Sequence, residues 1–196
     1  MTSSPMSFEP ARDQPAGTPA SSATPGTPTA DARALSAAEL LYGDFALEYA
    51  NTRRMLERYP DGKGEWRPHP RSRSLAELGT HVADIIYRGV WVLETDGMES
   101  GTRKPPAPMD SAAELLAHFE KGREQFVALL ANADLEMLGQ KWTLRRNGLV
   151  VQEHPRRILL RQLMMSHHVH HRAQLGVYYR LLGVPVPGTY GPSADD

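Results

Sequence analysis

The sequence predicts an all-α protein: a four-helix bundle with a short β-hairpin before the last helix and a disordered N-terminal extension. Four segments place large apolar residues at helical spacing, which is the main sequence signal of amphipathic helices. Capping signals mark where these segments begin. The chain has no internal repeat, and four long amphipathic helices without a repeat favour a bundle.

The predicted domain limits follow from a change in composition. Residues 1–34 are rich in Pro, Ser, Thr, Ala and Gly. Because such a segment has too few large apolar groups to offset the entropy lost on ordering, it is predicted to be disordered. The bundle domain is predicted over residues 35–190, and residues 191–196 are predicted to be a flexible tail.

The first two helices are predicted to begin at capping boxes, in which two side chains bond each other's free backbone amides. Ser36 with Glu39 opens a helix predicted over residues 36–59, which the turn-forming run YPDGKG ends. The same pattern in SLAE opens a second helix, predicted over residues 75–95 and ended by Asp-Gly. His81 interrupts the apolar stripe of this second helix.

The second half of the chain predicts two more helices with a hairpin between them. The third helix is predicted over residues 111–131, and Asn147-Gly148 between apolar residues is a strong hairpin signal. The last helix is predicted over residues 155–182, with a proline tolerated in its first turn and Gly183 as its C-terminal cap.

Composition excludes several functions. Lys and Arg total 22 against 23 Asp and Glu, so no basic surface favours nucleic acid. The chain contains no cysteine, which excludes disulfides, a thiolate nucleophile and cysteine-ligated metals. No apolar run approaches the ~20 residues that span a bilayer, and no signal-peptide pattern opens the chain. We therefore expect a cytoplasmic protein with no membrane partner.

The most unusual stretch is MMSHHVHHRAQL on the last predicted helix, with four histidines among five residues. His167 and His171 are four residues apart and so share one helix face. Both fall on an apolar row that runs from Leu163 to Leu175. This pair is predicted to face inward.

The remaining histidines receive other interpretations. His168 and His170 are expected outside the ligand set, nearer the rim or at the surface. His69, His118 and His154 are expected to be structural or solvated, in a loop, at the edge of the third helix and near a helix cap, respectively.

A third ligand from another helix would complete a metal site, and His81 is the natural candidate because it interrupts an apolar stripe. Bundles build metal sites from inward side chains on facing helices. Three imidazoles leave coordination positions open, as in catalytic zinc sites. Spacing alone leaves an ordinary core histidine as an equal alternative. The expected cofactor is a divalent metal, with Zn favoured and Ni, Fe or Mn as alternatives.

Other catalytic motifs find no support in the sequence. The HExxH pattern fails because His168 stands where that motif needs glutamate. No GxSxG, P-loop or GxGxxG pattern is present, which disfavours serine hydrolases and nucleotide-binding proteins.

Two stretches, EWRPHPRSRSLAELGTHVADI and HHVHHRAQLGVYYRLLGVPVP, resemble the DinB-like (DinB/YfiT) superfamily over residues 36–190. The resemblance implies an up-and-down four-helix bundle with a long crossover, usually dimeric. It also implies a divalent metal held by His81, His167 and His171. Relatives with assigned activities include S-transferases and isomerases that use a low-molecular-weight thiol. Ala173 stands where many relatives have glycine.

The resulting expectation is a metal-dependent enzyme of the thiol S-transferase type, acting on a small electrophilic substrate. The alternatives are a non-catalytic metal-binding stress-response module and, less favoured, a hydrolase. The expected partners are a thiol, a small-molecule substrate and a second copy of the chain. Asp84, Arg172 and Gln174 are weak catalytic candidates, each with a structural or solvated alternative. Glu48 and Asn51 on the first helix are polar residues expected to face the site.

Overall fold

The computed structural model describes residues 36–196, so the predicted N-terminal extension lies outside the described residues. Most of the described chain is helical, and a small sheet lies between the helices. In chain order the elements are α1 (Ala37–Tyr42), α2 (Phe45–Leu56), α3 (Leu75–Asp84), α4 (Ile86–Glu94), β1 (Gly97–Glu99), α5 (Ala112–Leu130), α6 (Leu135–Gly139), β2 (Lys141–Arg146), β3 (Leu149–Pro155), α7 (Arg156–Leu159), a π-helical segment (Leu160–Ser166) and α8 (His167–Leu181).

Three of the four predicted helices are divided, so the count of four is not confirmed. The first breaks between α1 and α2 at Gly43, and the second breaks between α3 and α4 at Ile85, although both residues keep right-handed helical backbone angles. The last is divided by the π-helical segment. Both predicted capping boxes are present, at Ser36 and at Ser74.

The helices pack around one apolar core. α3 packs against α5 and α8, α4 packs against α5 and the π-helical segment, and α2 contacts both α5 and α8. Gly89 and Gly122 allow α4 and α5 to approach closely, since a Cβ atom at Gly89 would lie 2.7 Å from the ring of Phe126 and one at Gly122 would meet Ile86. The largest side chains in the core are Trp142, Tyr179, Phe119, Phe126, Leu56 and Leu75.

The predicted hairpin is confirmed and belongs to a three-stranded sheet in the order β1-β2-β3. β2 pairs antiparallel with β3, and Asn147 (φ 53°) and Gly148 (φ 76°) form the turn with two positive φ values, as in the type I′ turn that suits hairpins. β1, a three-residue strand parallel to β2, was not predicted. Three residues are too few to show the alternation that identifies a strand.

The predicted domain limits beyond the extension stay predictions. In the C-terminal segment, Asp195 forms an ion pair with Arg180 on α8, and it also accepts a hydrogen bond from the Val186 amide.

Candidate metal centre

The structure brings together the three histidines that the sequence singled out. One ligand nitrogen from each of His81, His167 and His171 lies within 4.8 Å of the others. The Nε2 atoms of His81 and His167 are 3.2 Å apart. The His171 ring centroid lies 4.4 Å from that of His81 and 4.6 Å from that of His167.

The packing of α3 against α8 creates this cluster. His81, Asp84, Arg88 and Trp91 follow one another at spacings of three and four residues and form a half-buried stripe along α3 and α4, whose other faces are largely buried. His167 and His171 occupy a similar half-buried flank of α8. Each imidazole is therefore held by the core on one side and open to a cleft on the other.

All three imidazoles are neutral near pH 7. Burial lowers the pKa of His81 to about 3, and the positive charge of Arg73 adds to this effect. Burial also lowers the pKa of His167 to about 4, with Arg88 as the next cause, and lowers the pKa of His171. Because a metal ligand must carry a free lone pair, neutral imidazoles are the competent form.

Hydrogen bonds orient two of the rings. The Nδ1 of His171 lies 2.7 Å from Oε1 of Gln174, and Nε2 of Gln174 lies 3.1 Å from Nε2 of His170. An amide accepts through oxygen and donates through nitrogen, so this pattern assigns the proton of His171 to Nδ1 and leaves its Nε2 free. The ring of His167 bonds the backbone of Leu163. Such partners commonly fix ligand orientation in metal sites.

The donor set fits the expected metal. Zn–N bonds of about 2.0–2.1 Å at tetrahedral angles separate ligand nitrogens by about 3.3 Å, close to the 3.2 Å between His81 and His167. Three imidazoles and no carboxylate suit Zn, Ni, Cu or Fe better than Mg or Ca.

The prediction that His168 lies near the rim or at the surface was wrong. Its side chain is buried, with only 6% of the residue exposed. The ring bonds the backbone of Val82, packs edge-on against Phe119 with centroids 5.4 Å apart, and leaves Nε2 without a partner among the described residues. Burial lowers its pKa to about 3. His168 therefore joins α8 to α3 beside His81.

The error has a physical cause in the phase of the last helix. The central buried row of α8 is His168, Arg172, Leu175 and Tyr179, not the row through Leu163. The π-helical segment before α8 bonds each residue to one five positions away, which shifts the upstream apolar residues relative to an α-helical row. His170 is exposed, as expected.

Asp84 lies at the wall of the cleft beside the three histidines, but its hydrogen bonds are made with other residues. Arg103 donates to both of its oxygens, at 2.9 and 3.2 Å, and Nε2 of His118 lies 2.9 Å from Oδ1. Burial raises the pKa of Asp84, but the bonds from His118 and Arg103 outweigh it and hold the pKa below its usual value. An alternative in which Asp84 is a free surface charge is excluded by these bonds.

Arg172 is buried and ties three parts of the chain together. It donates to the backbone carbonyl and the carboxylate of Glu48, to the hydroxyl of Thr52 and to that of Tyr190. Glu48 therefore points into this network rather than into the histidine cluster. Asn51, also expected at the site, is buried and accepts from Arg54.

Two clefts border the histidine cluster, and Arg73 lines both. The first has a volume of about 320 Å³ and includes His81 and Asp84. The second, about 420 Å³, includes His171 and Gln174. The first is completed by a proline-rich wall that sequence reasoning missed, consisting of Pro105, Pro106 and Pro108.

The mainly helical fold and the cluster of three imidazoles place this protein among helical-bundle proteins with a site that could hold a divalent metal. A family model described as "DinB family" matches residues 34–196. The chain belongs to the DinB family, as the resemblance of its two motifs predicted.

Solved structures support the same fold. A DinB-like protein from Bacillus cereus has a TM-score of 0.61 and 23% identity, over 78% of this chain and 97% of that one. A DinB-like protein from Bacillus subtilis has a TM-score of 0.57 and 20% identity, over 80% of this chain and 98% of that one. No curated protein matches the chain.

Proposed function

We propose that this protein is a metal-dependent enzyme that activates a thiol, or less favourably water, against a small electrophilic substrate. The observation that carries the proposal is the cluster of His81, His167 and His171, whose ligand nitrogens lie within 4.8 Å of one another at the wall of a cleft. Three protein ligands with open positions beside a cleft are typical of catalytic rather than structural metal sites.

The residues of the chain divide the work as follows. The three histidines would hold the cation, and Gln174 fixes the ring of His171. A divalent cation bound there lowers the pKa of a coordinating thiol or water, which makes either a better nucleophile at neutral pH. The chain has no cysteine, so the thiol is a separate small molecule. Pro105, Pro106 and Pro108 form an apolar wall on one side of the cleft.

The metal is tested first. We expect about one divalent ion, with Zn as the leading assignment over Ni, Fe or Mn, in protein purified without a histidine tag. Elemental analysis should show that His81→Ala and His167→Ala lose it, while His154→Ala, which changes an exposed histidine on β3, retains it. Absence of metal from the wild type after loading with each ion would contradict the proposal.

The reaction is tested next, with the metal-loaded protein and a panel of low-molecular-weight thiols and electrophilic acceptors. Conjugation that requires both the metal and His81 would support the transferase proposal. Stoichiometric metal without conjugation or hydrolysis would favour the alternative, a non-catalytic metal-binding module of the stress response.

The remaining expectations stay predictions. None of the helices within residues 36–196 has the length and apolar character needed to cross a bilayer. A cytoplasmic location stays a prediction. For the expected homodimer, exposed apolar side chains on α1, α2 and α8 are the surface to examine, namely Leu40, Leu47, Val177 and Leu181.

A further inference from the structure

Two arginines border the histidine cluster without a carboxylate partner. Among residues 36–196, the guanidinium groups of Arg73 and Arg88 make no ion pair and no hydrogen bond. Three other arginines that are at least partly buried, Arg103, Arg156 and Arg172, each form an ion pair with an acidic residue. A half-buried guanidinium such as Arg88 is costly to leave unpaired.

Arg73 is held in place at the meeting point of the two clefts. Its backbone carbonyl accepts a hydrogen bond from the Tyr178 hydroxyl of α8, at 3.2 Å. The next residue, Ser74, is buried and caps α3. The backbone of Arg73 is therefore fixed by both helices that carry the histidines. Its side chain is exposed and lines the first cleft beside His81 and the second beside His171.

Arg88 lies on the same half-buried stripe as His81, seven residues further along α3 and α4. Burial lowers the pKa of its guanidinium, and its charge also contributes to lowering the pKa of His167. The positive charges of Arg73 and Arg88 therefore both act on the cluster.

The nearby carboxylates have hydrogen-bond partners other than these two arginines, although the negative charge of Asp84 opposes the lowering of the pKa of Arg88. Glu77, in the wall of the first cleft, accepts a hydrogen bond of 2.6 Å from the Ser74 amide in the capping box. Asp84 is occupied by Arg103 and His118. Since a divalent cation on three neutral imidazoles would add further positive charge, the cleft favours a ligand that brings its own negative charge.

We propose that the cleft binds a small molecule that carries a carboxylate, which Arg73 holds while the reacting end of the molecule lies at His81, His167 and His171. The planar guanidinium fork matches a carboxylate through two parallel hydrogen bonds. A volume of about 320 Å³ is at the lower end of the range for small-molecule sites. Arg88 supplies a second positive charge near the cluster. This inference rests on the proposed function, and it adds the chemical class of the ligand.

The test compares two thiols of equal length on the full chain loaded with Co²⁺. The probes are 3-mercaptopropionate, which carries a carboxylate, and 3-mercapto-1-propanol, which does not. Binding is followed through the change in the cobalt absorption spectrum. We expect 3-mercaptopropionate to bind at least about tenfold more tightly to the wild type, because charge-assisted bidentate pairs are strong.

The variant Arg73→Gln should reduce this preference to less than about twofold and leave the affinity for the uncharged thiol unchanged. The matched control is Arg71→Gln, which removes the same charge from a residue that is also exposed but lines neither cleft, and it should keep the preference. Equal affinity of both thiols for the wild type would overturn the inference. An equal loss of preference in Arg71→Gln would also overturn it, because this result would indicate a general electrostatic attraction rather than a specific contact with Arg73.

Failure of the thiol chemistry is distinguishable from failure of this inference. If neither thiol changes the spectrum of cobalt-loaded protein, the thiol proposal fails, and calorimetric titration with succinate then tests the carboxylate site alone. Succinate binding that Arg73→Gln abolishes supports the site, and absence of succinate binding overturns it. Inorganic phosphate that binds more tightly than succinate would contradict the carboxylate assignment.

Discussion

Two polar clusters lie on neighbouring rows of α8, and they differ in how completely their polar atoms are bonded. In one, buried Arg172 donates to Glu48, Thr52 and Tyr190. In the other, His167 and His171 meet His81 with at least one ring nitrogen of each turned toward a shared centre. Adjacent residues such as His171 and Arg172 therefore serve different purposes on one helix. The first cluster fastens helices, and the second leaves lone pairs for a ligand.

The two clusters differ in how many of their polar atoms already have a hydrogen-bond partner within the protein. A buried charge with full partners stabilises a particular packing, and removal of one partner is costly. Half-buried imidazoles, in contrast, cost the fold little free energy when they are neutral and bind no metal. Substitutions in the two clusters should therefore have opposite effects on stability and on metal affinity.

The largest expected effect is the loss of stability of the metal-free protein in acid, because a lower pH acts on all the histidines of the cluster at once. The unfolded state takes up protons on histidine below about pH 6.5, whereas the folded state does so at about 3 for His81 and His168 and about 4 for His167. The unfolded state therefore binds more protons between these limits, and the free energy of unfolding falls as the pH falls below 6.5.

Urea unfolding of chelator-treated protein at pH 7, 6 and 5 measures this slope. His154→Gln, which alters an exposed histidine, should have the same slope as the wild type. A free energy of unfolding that does not change from pH 7 to pH 5 would contradict the description of the imidazoles as buried and neutral.

The next effect tests the other cluster. Arg172→Met should lower the free energy of unfolding by about 3 kcal/mol or more, because it leaves the half-buried Glu48 without its cation. Urea unfolding measures the loss, and metal content per folded chain should remain at the wild-type level. The control Arg161→Met breaks an exposed pair with Asp44 and should cost less than about 1 kcal/mol. Equal losses in the two variants would remove the contrast between the clusters.

Gln174→Ala tests the histidine cluster. It removes the acceptor that holds Nδ1 of His171. Loss of such an orienting partner typically reduces metal affinity about 10–100-fold. Competition with a chromogenic chelator measures the affinity, and thermal melting of the metal-free protein should change little because Gln174 is exposed. An unchanged affinity would show that ring orientation is set by packing alone.

The smallest effect is expected for His170→Ala. His170 is exposed, and it contacts the cluster through Gln174 and through an edge-on contact with the ring of His171, with centroids 4.8 Å apart. We expect metal affinity to fall less than about threefold, since the bond from His171 to Gln174 remains. The same chelator competition checks this value, and a loss as large as that in Gln174→Ala would assign His170 a direct part in metal binding.

Local signals predicted much of the fold. Ser36 and Ser74 cap their helices as expected, because a capping box depends on residues only three apart. Asn147-Gly148 gave the hairpin for the same reason, since two positive φ values are a local requirement. The breaks at Gly43 and Ile85 carry no comparable signal, because both residues keep helical angles and the apolar pattern continues through them.

The candidate site was predicted in part. The four-residue spacing of His167 and His171 is a local pattern. His81 was singled out because it interrupts the apolar stripe of its helix, and the family resemblance implied the same residue. The burial of His168 depends on the π-helical segment, a change of helical phase that periodicity does not reveal. The arginines at the cleft were missed because a lack of partners is visible only when tertiary contacts are known.

The central claim is that His81, His167 and His171 together hold a divalent metal. X-ray absorption spectroscopy of the zinc-loaded wild type and of His81→Ala tests it directly. We predict three imidazole ligands at about 2.0–2.1 Å in the wild type, with one fewer, or no bound zinc, in the variant. A wild-type spectrum without imidazole scattering, or an identical spectrum from His81→Ala at equal zinc content, would contradict the account.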